Sequence, residues 1–150
     1  MNSGTEVLEK ARSGQSLLLP QSVRNFTAGL DWAGNSGKLI ANLLFKKDAI
    51  GQAFTVSSKQ NYTWQQVADV YAKHMDIKIE WVSDEEYLNA NPLVLNTDWR
   101  KIGWQYDRKF SREIDNSKIL QVTGLKKEDF ISIDEGVKIE LEDLGFNKKC

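Results

Sequence analysis

Three of the chain's Ser/Thr-x-x-Gln/Glu patterns read as capping boxes: Thr63 with Gln66, Ser83 with Glu86, and Ser132 with Glu135. In such a box the hydroxyl accepts from the backbone N–H three residues on, and the Gln or Glu side chain reaches back to the first residue's N–H. Each box therefore fixes where a helix begins. The first opens a helix from Trp64 to about Met75 with the apolar stripe Trp64, Val67, Ala68, Tyr71 and Met75. The second opens a short acidic helix that Pro92 must end. The third leads a helix with stripe Ile133, Val137, Leu141 and Leu144 and a stop at Gly145. Between the boxes lie β-type segments. Residues 52–57 favour β structure and carry no charge, which predicts an interior strand. Ile77, Ile79 and Trp81 alternate with Lys78 and Glu80, a strand with one wet face. Leu17-Leu18-Leu19, closed by Pro20, is extended. This alternation is α/β, with a few short strands and about five helices.

Further helices follow from other signals. Residues 5–12 read as a short helix stopped at Ser13-Gly14. Ala33, Gly37, Ile40 and Leu44 recur at spacings of four, three and four, on one helical face behind Asp31 as N-cap. Gly34 and Gly37 each weaken that helix by about 1 kcal/mol relative to Ala, which points to close packing. Either Asp115 or Asn116 caps a helix over 117–122, with Gly124 as its left-handed stop. From Leu93 to Phe110 no period holds, and the stretch is dense in Trp99, Arg100, Trp104, Tyr106, Arg108 and Phe110. Loops often carry binding residues.

Composition narrows the functions open to such a chain. Its 150 residues are 41% hydrophobic, with 20 Lys+Arg against 21 Asp+Glu, and offer no basic footprint for phosphate backbones or anionic lipid. Neither nucleic acid nor membrane is an expected partner, and no apolar run approaches the roughly 18 residues that span a bilayer. The expected compartment is the cytoplasm. A single cysteine, Cys150, closes no intrachain disulfide, and the single histidine, His74, has no second His or nearby Cys with which to hold a metal. Gly34-Asn35-Ser36-Gly37 lacks the third glycine of a dinucleotide turn, and Gly37-Lys38 is followed by Leu39 rather than Ser or Thr. Asp84, Glu85 and Glu86 occupy a first helical turn and read as a solvated acidic face. No cofactor or metal site and no nucleophile–base pair is expected in this chain.

Three segments carry a resemblance: Val23-Arg24-Asn25-Phe26-Thr27 leading to Asp31 and a helix; Gly51 to Ser58 with Thr63-Trp64 after it; and Asp115-Asn116-Ser117-Lys118 with Gly124-Leu125. In this order they resemble the C-terminal half of extended short-chain dehydrogenases/reductases, the NAD-dependent epimerase/dehydratase family, over about residues 5–145. The resemblance implies that residues 1–150 are one substrate-binding lobe. The N-terminal Rossmann half, with NAD or NADP and a Tyr-x-x-x-Lys pair, is then expected outside the chain. Consistent with that, Tyr62, Tyr71, Tyr87 and Tyr106 are followed four residues on by Gln66, Met75, Asn91 and Phe110, so no catalytic residue is expected here.

The same resemblance implies that residues 52–57 join the Rossmann sheet, and that the edge left without it favours self-association. The family arginine matching Arg24 contacts the diphosphate of a nucleotide sugar, a task suited to the guanidinium fork; on the residues alone Arg24 is equally a surface arginine beside a strand. A second family arginine sits in an Arg-x-Gly-Asp pattern. Here Trp104-Gln105-Tyr106-Asp107-Arg108 stands instead, with Arg108 as a loose counterpart. The expected substrate-binding set is Arg24, Asn25, Trp99, Tyr106 and Arg108, the rings either stacking on substrate or packing their own segment. The complete enzyme is expected to epimerise, dehydrate or reduce a small, sugar-nucleotide-like substrate. The competing reading is a stand-alone binding or assembly module, which requires a closed core of its own and no missing sheet neighbour.

Overall fold

Strands Leu17–Pro20 (β1) and Ile79–Val82 (β2) pair in parallel, Leu17 opposite Ile79 and Pro20 opposite Val82, in a computed structural model that describes residues 4–92, 96–107 and 109–146. Parallel pairing needs a long crossover. Here it contains helices Ala33–Leu43 (α2) and Trp64–Met75 (α3), and Gly4–Ser13 (α1) precedes β1. After β2 come Asp84–Ala90 (α4), Asp98–Ile102 (α5), Ser117–Thr123 (α6) and Ile133–Asp143 (α7). The result is a small α/β fold with seven α-helices and one two-stranded sheet among the described residues, rather than about five helices. The helix without a counterpart in the sequence reading is the short α5, and the wide helical turn Gly103–Asp107 continues it through the stretch without a period.

The main core lies between the sheet and two helices. Leu17 and Leu19 of β1 meet Trp64, Val67, Ala68 and Met75 of α3 and Ile133, Val137 and Leu141 of α7, with Val7, Leu8 and Ala11 of α1 packed against them. Both helical stripes face inward as their spacing predicts, except that Leu144 is exposed and Tyr71 only half-buried. The Thr63–Gln66 box closes in both directions. At α4 and α7 the Ser83 and Ser132 hydroxyls accept from the N–H of Glu86 and Glu135.

Helix α2 is rotated from its expected placement. Ala33, Gly37, Ile40 and Leu44 are exposed, while Asn35 and Leu39 are buried. The helix packs on α6, where Ile119 is also fully buried. Of the two glycines expected to allow close packing, only Gly34 does so: a Cβ there overlaps the Trp32 ring, and Gly37 faces open space. Asp31 does not cap α2. Its Oδ2 accepts from Ser58 N at 2.5 Å, and its Oδ1 accepts from Ser58 Oγ at 2.6 Å and Asn35 Nδ2 at 3.3 Å. A polar network thus overrides the helical period, since a buried amide must be satisfied whatever the neighbouring apolar residues prefer. The same happens at α6: Asp115 accepts from Ser117, whereas buried Asn116 donates to Ser57 O at 2.9 Å.

Residues 52–57 do not form a strand. They run extended with no ladder partner, held by Asn116 on Ser57 O and by Lys118 Nζ, which donates to Ala53 O at 2.9 Å and lies 4.9 Å from the Phe54 ring centre. The composition of the segment suits a strand, but pairing requires a neighbour, and none lies beside it among the described residues.

Helices α3 and α7 are also joined at the surface, where Asp134 accepts from Lys73 Nζ at 2.7 Å and lies 3.0 Å from His74 Nε2. Hydrogen bonds from Lys73 and then His74 hold the Asp134 carboxyl below the ordinary aspartate range. The folded chain therefore binds fewer protons at this group than the unfolded chain, so its stabilisation is present above the ordinary pKa and is lost as pH falls through the depressed one. Thermal melts across the acid range are expected to show a shallower loss for Asp134→Asn than for wild type; equal slopes would remove this clamp from the acid response.

Candidate anion-binding site at the carboxyl end of the sheet

The parallel register continues past the strands. Leu17 faces Ile79 across an offset of 62 positions, and at the same offset Ser22 Oγ donates to Asp84 Oδ1 at 2.6 Å. Asp84 opens α4 directly after β2, and its Oδ2 accepts from Lys109 Nζ at 2.5 Å. That ammonium lies 5.4 Å from the ring centre of Trp104, which stacks on buried Tyr87 with centres 5.1 Å apart. Trp104 and Lys109 are thereby fastened at the carboxyl end of β2. Farther along, Thr27 N donates to Ser111 Oγ, and Arg112 packs against Gly29 and pairs with Asp107. The region outside the carboxyl ends of parallel strands is where open α/β sheets collect ligands.

Asp84 is a tether. Burial pushes its carboxyl up, but hydrogen bonds from Lys109 and Ser22 and the charge of Lys109 outweigh that and hold it below the ordinary range. An aspartate kept ionised and bonded on both oxygens fixes its neighbours in place and has no proton to give. It is not the solvated face that its position in a first helical turn predicts, because the parallel ladder brings Ser22 up to it.

Arg24 stands at the same end. The short turn Gln21–Val23 follows β1 and delivers it beside β2, where its guanidinium carbon lies 5.3 Å from the ring centre of Trp81. Its Nε donates to Gln65 Oε1, and its carbonyl accepts from Gln65 N at 3.0 Å. Among the described residues neither Nη takes part in a hydrogen bond or ion pair. Arg24 is thus a half-buried cation with two uncommitted donors, suited to a ligand with paired oxygens.

The other expected residues are placed less tightly. Asn25 is exposed beside Arg24. Trp99 on α5 and Tyr106 in the wide turn are 79% and 60% exposed, so both rings face outward while Trp104 is the aromatic that packs. Arg108 lies outside the described residues. Ser22, Gln65 and Lys109 were not singled out by sequence reasoning, and Asp84 and Trp81 were read only as a solvated acidic face and a strand residue. The signal for Ser22 and Asp84 is the shared offset, which becomes visible only once the two strands are known to pair in parallel.

A depression of about 390 Å³ opens at the opposite end, between Ala11, Arg12 and Gly14 after α1, Met75 and Asp76 at the end of α3, and Gly145 and Phe146. Its charged lining is one arginine and one aspartate, with no further reactive group, so chemistry favours the carboxyl end. Among the described residues no group of three or more His, Cys, Asp or Glu is placed to hold a metal ion, and no helix is long and apolar enough to cross a membrane. Comparison of the chain with protein-family models, curated proteins and solved structures found no match.

Proposed function

We propose that this chain is the substrate-side lobe of an NAD(P)-dependent epimerase/dehydratase of the extended short-chain dehydrogenase/reductase type. The cofactor and the Tyr/Lys pair would be supplied by a Rossmann half outside these residues. The observation that carries this reading is an incomplete surface. Residues 52–57 are extended, and among the described residues no hydrogen bond reaches the main chain of Phe54, Thr55 or Val56. In the chain leading up to that segment, α2 turns Ile40 and Leu44 outward, Phe45 is fully exposed and Ile50 is 78% exposed. Open main-chain groups together with exposed apolar side chains are what a sheet leaves when its neighbour is taken away. Phe45 is also held at φ 64, a conformation that costs a bulky residue about 1 kcal/mol or more.

Substrate chemistry follows from Arg24. A guanidinium with two uncommitted donors favours a phosphate or diphosphate group, and the exposed rings of Trp99 and Tyr106 provide faces for a sugar or base. The stand-alone module has one observation in its favour, the closed core around α3 and α7; it leaves the open segment 54–56 without a purpose. Calorimetric titration of the chain with NAD(H) and NADP(H) tests the assignment. No binding is expected, because the chain has neither a glycine-rich dinucleotide turn nor the catalytic pair. Micromolar affinity for either cofactor would contradict it.

A further inference from the structure

We infer that Gln65 is the positioning residue of an oxyanion clamp whose contacting group is Arg24, an inference that rests on the substrate-side reading above. A free arginine side chain samples many rotamers, and a fork that must be ordered on binding loses affinity to that ordering. Here three contacts restrain it beforehand. The Gln65 side-chain oxygen takes the Nε–H, the Trp81 ring lies 5.3 Å away, and the bond from Gln65 N to Arg24 O, 3.0 Å long, fixes the two backbones relative to each other. Gln65 is itself restrained, since its Nε2 donates to Asp69 Oδ1 at 2.5 Å, one turn along α3. That bond settles which end of the amide faces the arginine: the nitrogen is committed to Asp69, so the oxygen is presented to Arg24.

The arrangement also selects how the guanidinium binds. With Nε occupied, the side-on fork of Nε and Nη is closed, and the pair left is the end-on fork of Nη1 and Nη2. Two oxygens of one phosphate group match that fork. Lys109 stands at the same end of the sheet, but its charge is balanced by Asp84, so the clamp rests on Arg24. The ligand class is therefore a phosphate ester or diphosphate, held by Arg24 and dependent on Gln65 for geometry rather than contact.

The test is a titration of the isotopically labelled chain with inorganic pyrophosphate, following the Arg24 Nε–H signal by NMR. In wild type the signal is expected to be sharp and to shift saturably. Gln65→Met, which keeps length but loses the acceptor, is expected to broaden it and weaken pyrophosphate binding about tenfold, with the melting temperature nearly unchanged. Asp69→Ala changes an exposed residue and frees the Gln65 amide to turn; it is expected to shift affinity in the same direction by a smaller factor, and it carries the test should Gln65→Met fail to fold. If wild type shows no saturable shift, Arg24 is not an anion contact and the substrate reading falls with it. If wild type binds and both variants bind equally well with a sharp Arg24 signal, the anion contact stands and the positioning role of Gln65 is overturned.

Discussion

Asn35→Ala is expected to destabilise the chain by about 2–4 kcal/mol, a large effect for one polar side chain. Asn35 is 2% exposed, and its amide acts as a backbone substitute. Its Oδ1 accepts from Ile131 N at 3.1 Å and its Nδ2 donates to Ile131 O at 3.0 Å, so a helix residue completes the pairing of a loop 96 positions away. The same Nδ2 reaches Asp31, which in turn holds Ser58. Truncation leaves the Ile131 N–H without its partner and creates a small void, while the Ile131 carbonyl keeps its bond from Gln60 Nε2. The loop that leads into α7 is therefore loosened rather than released. Urea unfolding measures the loss. A change below about 0.5 kcal/mol, the scale of an ordinary surface substitution, would mean that the network does not hold α2 to the loop before α7.

Elements with local signals were legible in the sequence. The Thr63 box and the stripe of α3, apart from half-buried Tyr71, depend on residues within a turn or two of one another and are found where they were expected; a strand does follow at Ile79–Val82, but without Ile77 and with all four residues partly buried rather than one face wet. Local signals failed where a distant partner decides. The period of Ala33, Gly37, Ile40 and Leu44 is genuine, but Asn35 must reach Ile131, and that turns the apolar face of α2 outward. Residues 52–57 have strand composition without a strand beside them. The site divides in the same way. Arg24 was marked by its place in a motif, whereas Gln65 and Trp81, which hold it, come from α3 and β2. Ser22 and Asp84 meet because the two strands run parallel, a relation no short pattern contains.

The second large effect is expected at the face that α2 turns outward. Ile40, Leu44, Phe45 and Ile50 are all more than half exposed, and the main chain of residues 54–56, a few positions farther along the chain, adds donors and acceptors without partners among the described residues. On the proposed reading both belong against a sheet of the absent half, and in its absence a second copy of the chain is the available cover. Placing charge on the face should therefore weaken association sharply and leave folding alone. Ile40→Lys with Phe45→Lys removes no buried contact, and the two ammonium groups would have to be desolvated in any dimer. A loss of roughly tenfold or more in association constant is expected, with little change in thermal stability.

Sedimentation equilibrium of the wild-type chain across micromolar concentrations, with the Ile40/Phe45 double variant run beside it, tests the central claim that this lobe is built to be completed by a sheet neighbour. The account predicts a wild-type mass that rises with concentration to a dimer or larger species, and a variant that stays close to the monomer. A wild-type chain that remains strictly monomeric and melts cooperatively would contradict it and favour the self-contained module.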